Sequence, residues 1–353
     1  MNVPLAAGIN AALIDESGAV LAFVMITPNT RRRCLSALAL GLLGAQRWAR
    51  AQTPAFPSRP ITVVVPSQPG GGFDLIGRAI ADGLGRQFGT GAIVENRTGS
   101  GTLVGTQSVA AAAADGYTLL VGGLSNLAFN AALYKNPRYD ALTDFATIGL
   151  VGAYPYVLVV RADLPVNNYS ALLQQLKAQP DKLMMATAGP GSGQHILAAA
   201  FVQAADAKLT LVPYRGAQAA YQDLLGGRID LFIDVWPTVK PHIDSKRVRV
   251  IFTTGAARLP EAPQVPTVKE LGLPLLEVVS WYGLFAPAKT PSPVLLALCK
   301  ALAAVLKDKE QTAPLAKSGF EPLNLEGEAA NRYIKAEHDK WTAFIRQAHI
   351  TAD

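Results

Sequence analysis

The sequence predicts an α/β protein built as two lobes around a cleft, joined by two crossing strands. Three observations lead there. From Ile61 onward, β-branched apolar runs of strand length alternate with helix-length patterns, which predicts an α/β fold with substantial parallel sheet. Two strand-to-helix junctions, one in each half of the chain, are stripped of side chains: Pro69-Gly-Gly-Gly-Phe-Asp74 and Thr187-Ala-Gly-Pro-Gly-Ser-Gly-Gln-His195. Finally, the apolar runs at 145–160 and 281–287 read as strands that pass from one lobe to the other and back. Two such connections imply a hinge, and a hinge implies a cleft that opens and closes.

The elements follow in order. Residues 61–66 form a strand and 75–88 a helix; 92–96 is a strand, 103–112 a helix and 117–122 a strand. Up to this point the chain is a repeated β–α unit whose strands end in polar or glycine residues, and in open α/β sheets ligands sit outside those carboxyl ends. The crossing stretch, with Pro155 inside it, leads to a second unit. Its helices are at 170–178, 194–205 and 217–225, and its strands at 183–187, 210–213, 231–234 and 248–254. The return crossing and helices at 293–307 and 329–348 complete the chain.

Gly70, Gly71 and Gly72 in a row are costly in backbone entropy, and make sense where something must approach the main chain. Bare N–H groups beside a helix start suit a small anion. Asp74 has two readings, a helix cap or a contact to a ligand ammonium or hydroxyl; Phe73 supplies an apolar wall. In the second junction Ser192 stands at an N-cap position. A plain capped turn and an anion site are equally compatible with this junction alone, and its repetition in both halves favours a shared anionic ligand. Asp234, ending its strand, reads either as a cleft carboxylate or as a cap or hinge residue. Trp281 and Tyr282 read first as core and second as ligand contacts.

Other chemistries lack their residues. No Gly-Lys-Ser/Thr follows either glycine junction, which excludes a P-loop. Gly191-Ser-Gly193 is not a nucleophile elbow, because position 190 is Pro where that motif needs Gly. Gly99-Ser-Gly-Thr-Leu-Val-Gly105 misses the dinucleotide fingerprint and reads as a turn near the cleft. His195, His242, His338 and His349 are far apart, without metal-ligand spacing. Cys299 reads as a buried free thiol in an apolar helical run. No catalytic residue, metal or cofactor is expected. Lys and Arg are scattered and not interleaved with aromatics, so no nucleic-acid partner is expected.

The N-terminal region predicts export. Arg31, Arg32 and Arg33 precede an apolar run from Leu35 to Ala45, and Ala49-Arg-Ala51 follows; this is a signal segment with its cleavage site. The run is shorter than the roughly 20 residues needed to span a bilayer, and no stable membrane insertion is expected. Translation from Met25 would leave a signal of ordinary size. The first 51 residues carry five Arg against Asp15 and Glu16, half of the formal net charge of +6, so the remaining chain is mildly basic. Either the general secretory or the twin-arginine route fits.

Taken together, several motifs resemble the Bug-type extracytoplasmic solute-binding receptors of tripartite tricarboxylate transporters. They are Phe56-Pro-Ser-Arg-Pro-Ile61, Pro69–Asp74, Val94-Glu-Asn-Arg97, Asp115-Gly-Tyr-Thr-Leu119, Asn130-Ala-Ala-Leu-Tyr134, Val212-Pro-Tyr-Arg-Gly216, Asp223–Asp230 and Trp281–Pro287. The resemblance covers residues 56–350. It implies a type II periplasmic-binding-protein fold and a periplasmic, non-enzymatic monomer. It also implies a small carboxylate ligand and delivery to integral-membrane permease subunits. The lobes are then 52–153 plus 277–353, and 154–276. Carried over by motif, the site residues are Ser67, Gln68, Gly70, Gly71, Gly72, Phe73 and Asp74, then Ser125 and Asn126 on the loop after the third strand, and Thr187, Ser192 and Asp234. Members often have an aromatic at position 67 and a small residue at 73. Here Ser67, Gln68 and Phe73 depart from that pattern, as does Val235-Trp236, which implies an unusual far end of the ligand. Alternatives on the same scaffold are a receptor read by a sensor kinase and, less well supported, an enzyme. N-terminal sequencing of the exported protein is expected to start at Gln52; a start far from that position would overturn the cleavage reading.

Overall fold

The computed structural model describes residues 56–351 and the short strands Ala12–Ile14 and Val20–Ala22. These two strands pair antiparallel within a first unit, residues 1–55. The signal segment, its cleavage site and the Met25 start lie outside the described residues. The second unit, from Phe56 on, carries everything below.

Its first half runs β1 (Ile61–Val65), α1 (Gly72–Phe88), β2 (Ala92–Asn96), α2 (Leu103–Ala110) and β3 (Thr118–Gly123), then a π-helix (Ser125–Phe129) continued by α3 (Asn130–Leu133). The crossing strand β4 (Phe145–Arg161) leads to α4 (Tyr169–Ala178), β5 (Met184–Thr187), α5 (Gly193–Ala204), β6 (Thr210–Pro213), α6 (Ala217–Leu225), β7 (Leu231–Val235), α7 (Trp236–Asp244) and β8 (Val248–Thr253). The chain returns through β9 (Val279–Pro287) and ends with α8 (Ser292–Lys307), α9 (Lys309–Ala316), β10 (Glu321–Leu325) and α10 (Gly327–Gln347).

Among the described residues of this unit, ten strands form one sheet, with β2-β1-β3-β9-β4-β7-β5-β6 in a row and β8 and β10 pairing β4. The two ends repeat one design. β1 pairs parallel with β2 and β3, and β5 pairs parallel with β6 and β7. Each end is thus a β–α–β wrap with its first strand in the middle, as alternating strand and helix patterns require. Between them, β9 runs antiparallel to both β3 and β4, and β4 antiparallel to β7. β4 is buried along nearly its whole length. Its apolar residues do not alternate because helices and neighbouring strands cover both faces.

Several expectations are corrected. α1 begins at Gly72 rather than at 75, because the Asp74 carboxylate, in the first turn, reaches back to accept the Gly70 N–H at 2.9 Å, as the third-position side chain of a capping box reaches back to the preceding turn. Ser125 and Asn126 stand on a helix, not on a loop. Besides the π-helix, four of these elements had no counterpart in the sequence reading: α3, α7, α9 and β10. Pro237 and Pro241 obscured α7, yet Pro237 occupies the first turn, where a missing N–H costs nothing.

The crossing strands also set where two helices begin. Tyr282 on β9 and Tyr156 on β4 are both buried. A Cβ on Gly72 would lie 2.1 Å from the Tyr282 hydroxyl oxygen, and one on Gly193 would lie 2.1 Å from that of Tyr156. Each helix start is therefore pressed against a phenol from the middle of the sheet, which only glycine allows. Gly193→Ala is expected to cost about 1–3 kcal/mol through overpacking. Combining it with Tyr156→Phe is expected to recover part of that loss as a coupling of about 0.5 kcal/mol or more. Urea denaturation of the four proteins measures it, and strict additivity would contradict the contact.

Candidate functional site

A cavity of about 310 Å³ lies at the carboxyl ends of the parallel strands, between the two ends of the sheet. That is where open α/β sheets bind ligands. The β1–α1 turn contributes Ser67, Gln68, Gly71, Gly72 and Phe73. Opposite it, the β5–α5 junction contributes Ser192, Gly193 and Gln194, and the β6–α6 junction Arg215 and Gln218. Tyr156, Ser280 and Tyr282 of the crossing strands line it as well. The halves touch around it: a Cβ on Gly101 would lie 2.5 Å from the Pro190 carbonyl oxygen.

The first N–H groups of a helix have no acceptor inside that helix, and its dipole makes this end positive. α1 opens with Gly72 and Phe73, α5 with Gly193 and Gln194, and α6 with Ala217 and Gln218, and all six residues line the cavity. Thr102, the N-cap of α2, and Ser125, which opens the π-helix, line it too. Among the described lining residues there is no Asp or Glu, and Arg215 alone carries a full charge. Ser280 Oγ donates to the Tyr282 hydroxyl at 2.8 Å, which leaves the Tyr282 proton free to donate elsewhere. Burial pushes the Tyr282 and Tyr156 phenols well above their ordinary pKa, so both remain O–H donors. The cleft is equipped to hold a negative charge with neutral donors and oriented dipoles.

The structure brings seven of the twelve sequence-predicted site residues to the cavity: Ser67, Gln68, Gly71, Gly72, Phe73, Ser125 and Ser192. Phe73 forms an edge-on contact with Tyr282 at 5.0 Å, so its ring joins the turn to the crossing strand. Ser192 is both a cap and a lining residue: its Oγ accepts from His195 N at 3.1 Å and donates to Gly189 O at 2.7 Å. Of the other five, Asp74, Asn126, Thr187 and Asp234 are buried behind the wall, whereas Gly70 is exposed beside the cavity, where a Cβ would lie 3.2 Å from Gln218 Nε2. Gly70 donates its N–H to Asp74. The Asp74 carboxylate also accepts from Arg78 Nε and Asn96 Nδ2, each at 2.9 Å. Burial works to raise its pKa, but these donors and Arg78's charge outweigh it and hold the carboxyl below its usual range. Asp74 braces the turn and does not line the cavity. Asn126 accepts from Gly123 N at 2.8 Å and donates to Thr106 Oγ1 at 2.9 Å, tying β3 to α2. Thr187 is buried at the end of β5, and its hydroxyl has no hydrogen-bond partner among the described residues.

Asp234, expected at the cleft or in a cap, is buried beneath it. Its Oδ1 accepts from Gln194 Nε2 and Val235 N, both at 2.8 Å. Its Oδ2 accepts from Tyr221 at 3.1 Å and Thr238 at 2.6 Å. Burial raises its pKa against the pull of these donors. Sequence reasoning missed Gln194, Arg215, Gln218, Tyr156 and Ser280. A signal existed for two of them, since Val212-Pro-Tyr-Arg-Gly216 ahead of a helical pattern is a third strand–glycine–helix junction. Nothing in the local pattern marks Tyr156, which only the long crossing strand carries to the cavity floor.

No group of three or more His, Cys, Asp or Glu among the described residues is placed to hold a metal, and no described helix is long and apolar enough to cross a membrane.

The family model described as "Tripartite tricarboxylate transporter family receptor" matches residues 76–350. The chain is 32% identical to Protein BugT of Bordetella pertussis over 316 residues, covering 89% of this chain and 97% of that one. The structure of the periplasmic binding protein BugD superposes with a TM-score of 0.79 at 34% identity, covering 84% of this chain and 99% of BugD. A structure of R. palustris Rpa4515 with adipate superposes with a TM-score of 0.80 at 31% identity, covering 84% and 99%. The glycine junctions, the repeated β–α ends and the crossing strands are thus those of a periplasmic binding protein, and the chain belongs to the tripartite tricarboxylate transporter receptor family.

Proposed function

We propose that this protein is an extracytoplasmic receptor that captures a small organic carboxylate between its lobes and presents the closed complex to the membrane subunits of a tripartite transporter. The observation that carries the reading is the cavity itself: several helix N-termini and phenols converge on a space whose described lining contains no acidic side chain. Adipate bound to Rpa4515 supports a carboxylate as the ligand class. Among the described residues the lobes are 56–153 with 277–351, and 154–276, and they hinge where β4 and β9 pass between them.

The proposed contacts are the amides that open α1 and α5, the hydroxyls of Ser67 and Ser125, and Tyr282, while Ser192, whose proton goes to Gly189 O, holds the α5 turn in place. Phe73 supplies the apolar wall and Gln68 a polar one. Asp74, Asn126, Thr187 and Asp234 shape these groups from behind. Charge-assisted hydrogen bonds from several donors suffice for micromolar affinity, about −8 kcal/mol. A ligand touching both lobes stabilises the closed form by its extra affinity for it.

Gly71 offers a clean test, because its backbone is extended and a Cβ there meets only the Gln68 carbonyl, at 3.9 Å. Gly71→Val therefore fills the cavity without disturbing the fold. A thermal-shift screen against di- and tricarboxylates, acidic amino acids and aromatic acids, followed by calorimetry, is expected to find a micromolar ligand that Gly71→Val no longer binds. A panel without a single binder, or full affinity in the variant, would refute the site.

A further inference from the structure

We infer that Gln194 reads a hydrogen-bond donor, a hydroxyl or an ammonium, on a ligand carbon adjacent to the bound carboxylate, and that Asp234 sets the direction of that reading. The inference rests on the carboxylate-receptor reading above and adds the ligand's substituent.

A glutamine amide turned by half a revolution fits the same space, so its neighbours decide which end faces a cavity. At Gln194 that decision is made from behind. Its Nε2 donates to Asp234 Oδ1 at 2.8 Å. The same Oδ1 also receives the Val235 N–H at 2.8 Å, so that oxygen is an acceptor whether or not Asp234 is ionised, and only the NH₂ end of Gln194 can face it. Asp234 cannot turn to offer anything else, because it is 1% exposed and its Oδ2 is held by Tyr221 and Thr238. Gln194 lines the cavity, and among the described residues its Oε1 has no donor.

A fixed acceptor is thereby placed on the turn whose amides and Ser192 face the cavity, within a lining otherwise rich in donors. It repels a carboxylate oxygen and attracts O–H or N–H. Since Gln194 directly follows Gly193 in the first turn of α5, the donor it meets lies close to the carboxylate held there, on the α-carbon. Gln68 and Gln218 also line the cavity, but among the described residues no side-chain hydrogen bond orients either, so each adapts to what it meets. Gln194 is the amide that selects. A site built to pair a substrate hydroxyl discriminates against the analogue without it, because its own polar group is then left unpaired.

The test uses acids that differ only in that donor: succinate against malate and against aspartate, propionate against lactate, and phenylacetate against mandelate, each titrated calorimetrically into the whole protein. For the pair that fits the cavity, the donor-bearing acid is expected to bind about tenfold tighter or more. The malate and aspartate arms separate hydroxyl from ammonium. Gln194→Met, which keeps the length and removes the acceptor, is expected to bring the ratio to about one. Asp234→Ala is expected to lower it by freeing the amide, while Asp234→Asn, which keeps an oxygen toward Val235 N–H and Gln194, is expected to retain it; a purely structural role for Asp234 would not separate these two variants. Equal binding of both members of a pair by the wild type, or a ratio that survives Gln194→Met, overturns the inference and leaves the receptor reading standing. Binding of no acid in the panel overturns both.

Discussion

A helix cannot satisfy the N–H groups of its own first turn, and this fold brings several such turns to one place. α1, α5 and α6 each follow a parallel strand, so each starts at the carboxyl end of the sheet, and the two β–α–β ends turn those edges toward each other. The resulting positive field comes from backbone geometry more than from charged side chains. Neutral donors of this kind need no counter-ion when the cleft is empty, and they impose direction on whatever anion enters it.

Such a field would be wasted if carboxylates of the chain itself lay in the cleft. The nearby ones are spent internally. Asp74 is held by Gly70 N–H, Asn96 and Arg78, and Asp234 by Gln194, Val235 N–H, Tyr221 and Thr238. Asp230, further away, joins Arg161 Nε at 2.8 Å to Met184 N at 2.9 Å. A buried carboxylate with its acceptor sites filled is a brace rather than a competitor. Through Asp234 the brace reaches the cavity wall, because a fixed oxygen behind an amide determines what the front of that amide presents.

The crossing strands connect recognition to motion. Tyr156 and Tyr282 stand on the two segments shared by both lobes, and each phenol oxygen occupies the place where a side chain on a helix-opening glycine would be. A displacement of either lobe therefore changes the distance between a phenol and the amides of the turn it touches. On the proposed receptor reading, the segments that pass between the lobes also carry floor residues of the cleft, which ties ligand contact to lobe position.

Read alone, the chain determined a great deal: the alternation of strands and helices, the two crossing segments, the glycine junctions at the strand ends, and motifs specific enough to identify the family. These are local properties, set by periodicity and backbone freedom within a few neighbouring residues. The elements it hid had misleading local signals, such as the two prolines of α7 or the π-helix that Ser125 opens. Tertiary structure alone decided which polar residues face the cavity and which hold it up. Asp74, Asn126 and Asp234 lie at the right junctions but turn inward, where near neighbours and side chains distant in sequence, Asn96 for Asp74, Thr106 for Asn126 and Gln194 for Asp234, hold them, and Thr187 is likewise buried, while Tyr156, Ser280 and Gln194 reach the cavity through contacts that no local pattern records. The side of the wall on which a side chain ends depends on packing and hydrogen bonds that reach beyond its own turn, to Asn96, Thr106 and Gln194 among them.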